Sequence, residues 1–213
     1  MKPRAKAAGR PRRTAQDKEA TREALIAAGM ALFAKHGLDG PSLDDICAHA
    51  GFTRGAFYVH FEDRDDFLVA VMDTVGRRIV DDLLVAGGGG DTNGLVGATQ
   101  RFVDASTSGS YPLMPAGGIR PHQLLDACAR SQPLRERYLG LVDMSKMRIR
   151  ELLAQGQKDG LVRGDVAPEN AATMVMAVVV GLQTLADLGV PIALGPLAAD
   201  VLRLLGRPAD ETK

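Results

Sequence analysis

The sequence predicts an all-α protein with a small N-terminal unit and a larger C-terminal helical bundle, about nine helices in all. Three observations carry this. From Leu25 onward, apolar residues recur at the three-to-four spacing of amphipathic helices. Glycine, proline and capping residues fall where helices start and stop. No segment shows a strand's two-residue alternation. Composition agrees: of 213 residues, 46% are hydrophobic and 24% charged, the balance of a globular chain rather than a disordered one.

Residues 1–16 hold Lys2, Arg4, Lys6, Arg10, Arg12 and Arg13 and no acid, with Pro3, Gly9 and Pro11 among them. They read as a flexible basic arm. Because the net charge is zero, the rest of the chain is acidic. Two readings fit: an arm for a polyanion, or a solubilising tail. From Asp17 the pattern turns helical. Leu25, Ala28 and Leu32 share one face, Ile26, Met30 and Phe33 lie beside it, and Gly37 and Gly40 end it. Ser42 caps a second helix, with Asp45 three residues on as in a capping box, and Gly51 stops it. Thr53 caps a third, Arg54 to His60. Acids from Asp63 to Asp66 suit the start of a fourth, which runs through Phe67, Val71 and Val75 to about Leu84.

Gly87–Gly90 breaks the chain. No Lys-Ser/Thr follows it and no strand precedes it, so it reads as a linker rather than a phosphate loop. Helical patterns return at Leu95–Ala105 and, past a Gly/Pro-rich loop over 109–121, at His122–Arg130 and Pro133–Gln157. After a connector from Gly160 to Pro168 come Glu169–Leu188 and Pro196–Leu205. The densest apolar run, Met174–Leu182, is shorter than the roughly 18 residues of a membrane span. No apolar leader is visible. Cys47 and Cys128 form no CxxC pair and are too few for a disulfide framework. A reducing cytoplasm and no membrane contact are the expectation.

The second and third helices meet through Gly51-Phe52-Thr53, a tight glycine turn of the helix–turn–helix kind. In that motif the N-terminal end of the second helix enters the DNA major groove. An ordinary helical corner would share the spacing. The segment Ala50 to Leu68, AGFTRGAFYVHFEDRDDFL, resembles the TetR/AcrR family of bacterial transcriptional regulators, whose motif reads approximately A-G-V-S-[KR]-G-[AT]-[LI]-Y-x-H-F-x-x-K-x-x-L. Gly51, Thr53, Arg54, Gly55, Tyr58, His60, Phe61, Arg64 and Leu68 fall on it in register, and Phe33, Gly37, Ser42, Leu43 and Ile46 match the block upstream. The resemblance covers about residues 17–70.

It implies a three-helix DNA-binding domain over residues 17–70 and an effector-binding and dimerisation domain over 71–213. It also implies phosphate contacts at Ser42, Tyr58, His60 and Arg64. Such contacts set register without reading sequence. Thr53 can cap the recognition helix and donate its hydroxyl to a phosphate. Arg54 is the base-reading candidate, since a guanidinium matches guanine O6 and N7 bidentately. Gly55 allows close approach to the DNA backbone. Phe57 and Phe61, four apart, belong to the core, as do Leu38 and Leu43. Val59 either touches a thymine methyl or reads nothing. Gly9 to Arg13 resembles a minor-groove hook, with Arg10, Arg12 and Arg13 drawn to the potential of a narrow groove. Arg64 replaces the usual lysine. Cys47 replaces alanine, as a packed small side chain or as a redox switch.

The helix over Glu169–Leu188 is apolar nearly all round, so both sides need cover: its own core and a partner subunit, or a monomer core alone. The resemblance implies a homodimer through the last two helices. Such a dimer places its recognition helices about 34–36 Å apart on a pseudo-palindromic double-stranded operator. It also implies a small-molecule effector in the C-terminal bundle that shifts the separation of the DNA-binding heads. Candidate apolar walls are Phe102, Tyr111, Met114, Tyr138, Met144, Met147 and Met174, with Arg120, His122 and Gln183 to orient a polar group. The expected function is a repressor released by its effector. The alternatives are an activator, or an architectural protein without effector. An all-helical enzyme is the remote competitor. His36, His49, His60 and His122 make no HExxH, no nucleotide or hydrolase motif occurs, and no cluster has metal-ligand spacing. No catalytic residue, cofactor or metal is expected.

Overall fold

The computed structural model describes residues 14–85, 94–111, 113 and 119–206, and among these residues it holds nine α-helices and no strand. The arm residues Arg10, Arg12 and Arg13, the glycine run Gly87–Gly90 and Met114 lie outside the described residues.

Local chemistry sets the N-terminal helices. α1 (Ala15–His36) starts at a capping box, in which Asp17 N–H donates to Thr14 Oγ1 at 3.1 Å and Thr14 N–H to Asp17 Oδ2 at 2.9 Å. α2 (Leu43–Ala50) repeats the device with Ser42 and Asp45, as the sequence predicts. The hydroxyl and backbone bonds from Ser42 hold the Asp45 carboxyl below its usual range. Gly51 then takes the left-handed conformation at φ 74°, which a side chain would resist. α3 (Arg54–Phe57) is capped by Thr53 Oγ1, which accepts from Ala56 N–H at 3.3 Å. It is a single turn, shorter than the stretch to His60 that periodicity predicts. The His60 and Phe61 N–H groups both donate to the Phe57 carbonyl, so the chain tightens there and returns Phe61 to the core.

α4 (Arg64–Arg78) is capped by Asp63 and widens into a π-helix over Ile79–Val85. Side chains satisfy carbonyls at its end: Arg101 Nε donates to Leu83 O at 3.0 Å and Arg148 Nε to Leu84 O at 3.2 Å. α4 crosses the expected boundary at 70/71 unbroken, so the two regions share one rod rather than a linker. The rest are α5 (Leu95–Ser108), α6 (Pro121–Arg130), α7 (Gln132–Lys158), α8 (Pro168–Asp187) and α9 (Leu194–Leu205). Prolines sit in the first turns of α6, α7 and α8, where the missing N–H is harmless.

The N-terminal core is an aromatic cluster. Phe33, Phe57, Phe61 and Phe67 are at most 3% exposed, and Phe67 lies 5.0–6.3 Å, centroid to centroid, from the other three rings. α1 approaches so closely that a Cβ on Gly29 would stand 2.5 Å from Phe67 Cζ. A second cluster joins α7, α8 and α9 through Ile149, Leu153, Ala171, Ala172 and Leu205.

α8 is long and apolar enough to cross a membrane by length and composition, and 17% of that window is buried within the chain. Ala171, Ala172 and Gln183 pack inward, whereas Met174, Val178 and Leu185 are exposed by 59%, 40% and 43%. The sequence predicts cover on both sides. One chain supplies only one of them.

Candidate functional site

The helix–turn–helix presents one polar end to solvent. Ser42, Thr53, Arg54, Gly55 and Tyr58 are all exposed, and Val59 beside them is 62% exposed. Arg54 Nη1 lies 3.4 Å from Asp44 Oδ2. Hydrogen bonding to Tyr58, then the charge of Asp44, raises the guanidinium's pKa further. Arg54 is therefore an exposed cation paired with Asp44 at the start of α3.

His60 is half-buried beside the Phe61 ring, 6.3 Å between centroids. Arg64 is half-buried too. Its Nη1 donates to Pro41 O at 2.8 Å and its Nη2 to Leu38 O at 2.5 Å, with the guanidinium 5.9 Å from the Phe33 ring centroid. Arg64 thus ties α4 to the loop before α2, a bracing role that local sequence does not reveal. Cys47 and Cys128 are buried, and burial pushes both thiols up, away from the reactive thiolate.

The same loop is held from the C-terminal side. Leu38 N–H donates to Gln123 Oε1 of α6 at 2.8 Å, and Arg130 of α6 stands 3.4 Å from Asp39. A Cβ on Gly37 would lie 2.5 Å from Gln123 Oε1. The N-terminal end of α6, next to Gln123, is also anchored on α8: Asp187 Oδ2 accepts from His122 N–H at 3.1 Å and meets His122 Nδ1 at 2.5 Å. Burial alone would push the Asp187 carboxyl up, but the bonds from His122 outweigh it and hold it below its usual range. Arg120 Nη1 approaches the same carboxylate at 4.0 Å. α6 is therefore a strut from the C-terminus of α8 to the loop that carries α2.

Between the π segment, α5, α7, α8 and α9 lies a cavity of about 130 Å³. Phe102 and Tyr111 line it, and Tyr138 and Gln183 line a smaller neighbour of about 20 Å³. Arg120, His122, Met144, Met147 and Met174 line neither. The first two are engaged at Asp187, and the three methionines are 44%, 55% and 59% exposed. Sequence reasoning missed Ile79, Leu83, Val175 and Val179, which resemble any core aliphatics. It also missed Ser145, a lone polar residue in the buried stripe Leu141, Ser145, Ile149 of α7. Among the described residues no group of His, Cys, Asp and Glu could hold a metal ion.

The structure thus joins an exposed helix–turn–helix end, through α6, to a helical bundle that encloses a cavity. Residues 25–71 match the family model of bacterial regulatory proteins, tetR family. The HTH-type transcriptional regulator YwcC of Bacillus subtilis is 45% identical over 56 residues, 26% of this chain and 25% of that protein. The aligned stretch thus spans about a quarter of that relative's length. The reduced form of Escherichia coli NemR shares the fold over 89% of this chain and 100% of its own, with TM-score 0.70 and 19% identity. SmeT, the repressor of the Stenotrophomonas maltophilia multidrug efflux pump SmeDEF, matches over 91% of this chain and 94% of its own, with TM-score 0.63 and 25% identity. A structure of SmeT with triclosan matches likewise, at TM-score 0.63. Residues 25–71 are thus similar to the N-terminal region of the tetR family, and the described chain shares its fold with solved regulators such as NemR and SmeT.

Proposed function

We propose that the protein is a homodimeric repressor that binds a pseudo-palindromic operator in the cytoplasm and leaves it when a small molecule occupies the cavity. The observation that carries the DNA reading is Gly55. Its φ is not in the left-handed region, and a Cβ there would meet nothing nearer than Thr53 Oγ1 at 3.7 Å. Nothing inside the protein requires glycine at this exposed helical position, where glycine lowers helix stability. The requirement is external, a phosphate backbone approaching α3. Gly55→Leu is expected to leave the melting temperature unchanged or slightly raised and to weaken operator binding at least tenfold. Unchanged DNA affinity in a folded variant would refute the reading.

Thr53, Tyr58 and Ser42 surround Arg54 as phosphate contacts, which position the helix while Arg54 reads. His60 and Arg64 support that surface from behind, Arg64 through the loop it braces. The arm adds minor-groove charge through Arg10, Arg12 and Arg13. Deleting residues 1–13 should weaken binding and flatten its salt dependence. With six of these arginines in a dimer, the slope of log affinity against log salt should fall by roughly 3–5. Equal slopes for both proteins, from fluorescence anisotropy at several salt concentrations, would remove the arm from the interface.

The exposed apolar residues of α8, with Leu188 and Leu204 at 75% and 71% exposure, support dimerisation through α8 and α9, since a bare face of this kind calls for a partner. SmeT, a repressor that forms a complex with triclosan, supports repression and the binding of a small molecule. The α6 strut supports a transmission route, because cavity walls on α8 precede Asp187 on the same helix. A ligand shifts the DNA-binding heads only by preferring one arrangement of that strut.

A further inference from the structure

The cavity's lining defines what enters it. The geometry points to an uncharged ligand of roughly seven to ten heavy atoms, its apolar body in the larger cavity and one hydroxyl or carbonyl group at a polar notch formed by Ser145 and Tyr111. This inference rests on reading the cavity as the effector site.

Size comes first. A cavity of about 130 Å³ is close to the roughly 150 Å³ of an apolar cavity that takes up benzene. Charge comes second. Among the described residues no Asp, Glu, Lys, Arg or His lines either cavity. Arg120 and His122, the cations that the sequence offers as orienting groups, are committed to Asp187. An ion entering this space would lose its hydration with no countercharge, which is costly.

The polar notch comes third. Tyr111 and Ser145 line both cavities and so mark their junction. The smaller one, about 20 Å³, has room for one water molecule or one polar ligand group. Gln183 Nε2 donates to the Tyr111 hydroxyl at 3.1 Å, with both residues buried. Burial pushes the Tyr111 phenol far above its usual range. Its proton therefore stays in place and is available to donate to a ligand oxygen. Thr99 also lines the larger cavity, but its hydroxyl donates to Leu95 O at 2.8 Å. The notch thus offers hydroxyls from Tyr111 and Ser145 to one neutral oxygen. Gln183 stands one turn before Asp187 on α8, so a ligand oxygen that draws on Tyr111 acts next to the anchor of α6.

Four probes of one size test this on the full-length protein without DNA: benzyl alcohol, toluene, benzoate and benzylamine, by thermal shift and calorimetry. Benzyl alcohol should bind tightest. Toluene should bind roughly three- to tenfold more weakly, the worth of one hydrogen bond. Benzoate and benzylamine should be at least ~100-fold weaker. Ser145→Ala should bring benzyl alcohol down toward toluene and leave toluene unchanged. Tyr111→Phe, a second variant, should do the same if the first does not fold. Binding of either ion as tight as that of the alcohol, parity of alcohol and toluene in the unaltered protein, or no binding by any probe overturns the inference. The readout needs no operator. A protein that follows the predicted order but binds no DNA would refute the regulatory function and keep the ligand class, and operator binding with the wrong probe order would do the reverse.

Discussion

Arg54→Ala is expected to erase sequence preference while leaving the fold intact. The guanidinium stands at the exposed N-terminal end of α3, 3.4 Å from Asp44, where a recognition helix meets base edges. A bidentate arginine–guanine contact is worth roughly ten- to hundredfold in discrimination. In the proposed dimer two copies act on one palindrome, so it should lose roughly 10²- to 10⁴-fold in preference for its operator over unrelated DNA. Non-specific, salt-driven binding should fall far less, because arm and phosphate contacts remain. The fold should survive, since an exposed ion pair with Asp44 contributes little. Anisotropy titrations on operator and scrambled duplexes give the ratio, and a retained preference would reassign the reading residue. Arg54→Lys should keep charge and non-specific affinity but lose the bidentate geometry.

Phe67→Ala carries the largest expected effect on stability. Phe67 is 0% exposed, contacts the rings of Phe33, Phe57 and Phe61, and fills the space that Gly29 leaves open. Truncating such a phenylalanine costs about 3–5 kcal/mol through lost burial and the cavity left behind. For a chain of this size that lowers the melting temperature by roughly 6–20 °C. Phe67→Leu should lose much less. A change below about 1 kcal/mol in urea unfolding would mean that the small domain does not depend on this cluster. DNA binding should fail with it, because α3 is one turn long and has little support besides Phe57.

What was legible in the sequence was local. The Ser42/Asp45 capping box and the left-handed Gly51 depend on residues within three positions of each other, and the structure has both. The pairing of Phe57 with Phe61 is a one-turn relation and was equally readable. What was not legible joins distant positions. Arg64 reaches carbonyls 23 and 26 residues away, and Asp187 holds His122 from 65 residues away. No local pattern announces either. The widening of α4 into a π-helix also left no mark in the apolar periodicity. For the cavity, residue type alone does not choose among the methionines: Met144, Met147 and Met174 face solvent, whereas Met176 lines both cavities. Composition says that α8 is apolar nearly all round, while packing decides which of its faces encloses the void.

The most direct test is selection of fragmented DNA from the protein's own genome by the purified protein, followed by sequencing and a salt titration on the recovered sites. The account predicts enrichment of a small set of inverted repeats with half-site centres about one helical turn, or a multiple of it, apart. Binding to them should weaken steeply as salt rises. Recovery of fragments with no shared repeat, bound no better than random DNA, would contradict it.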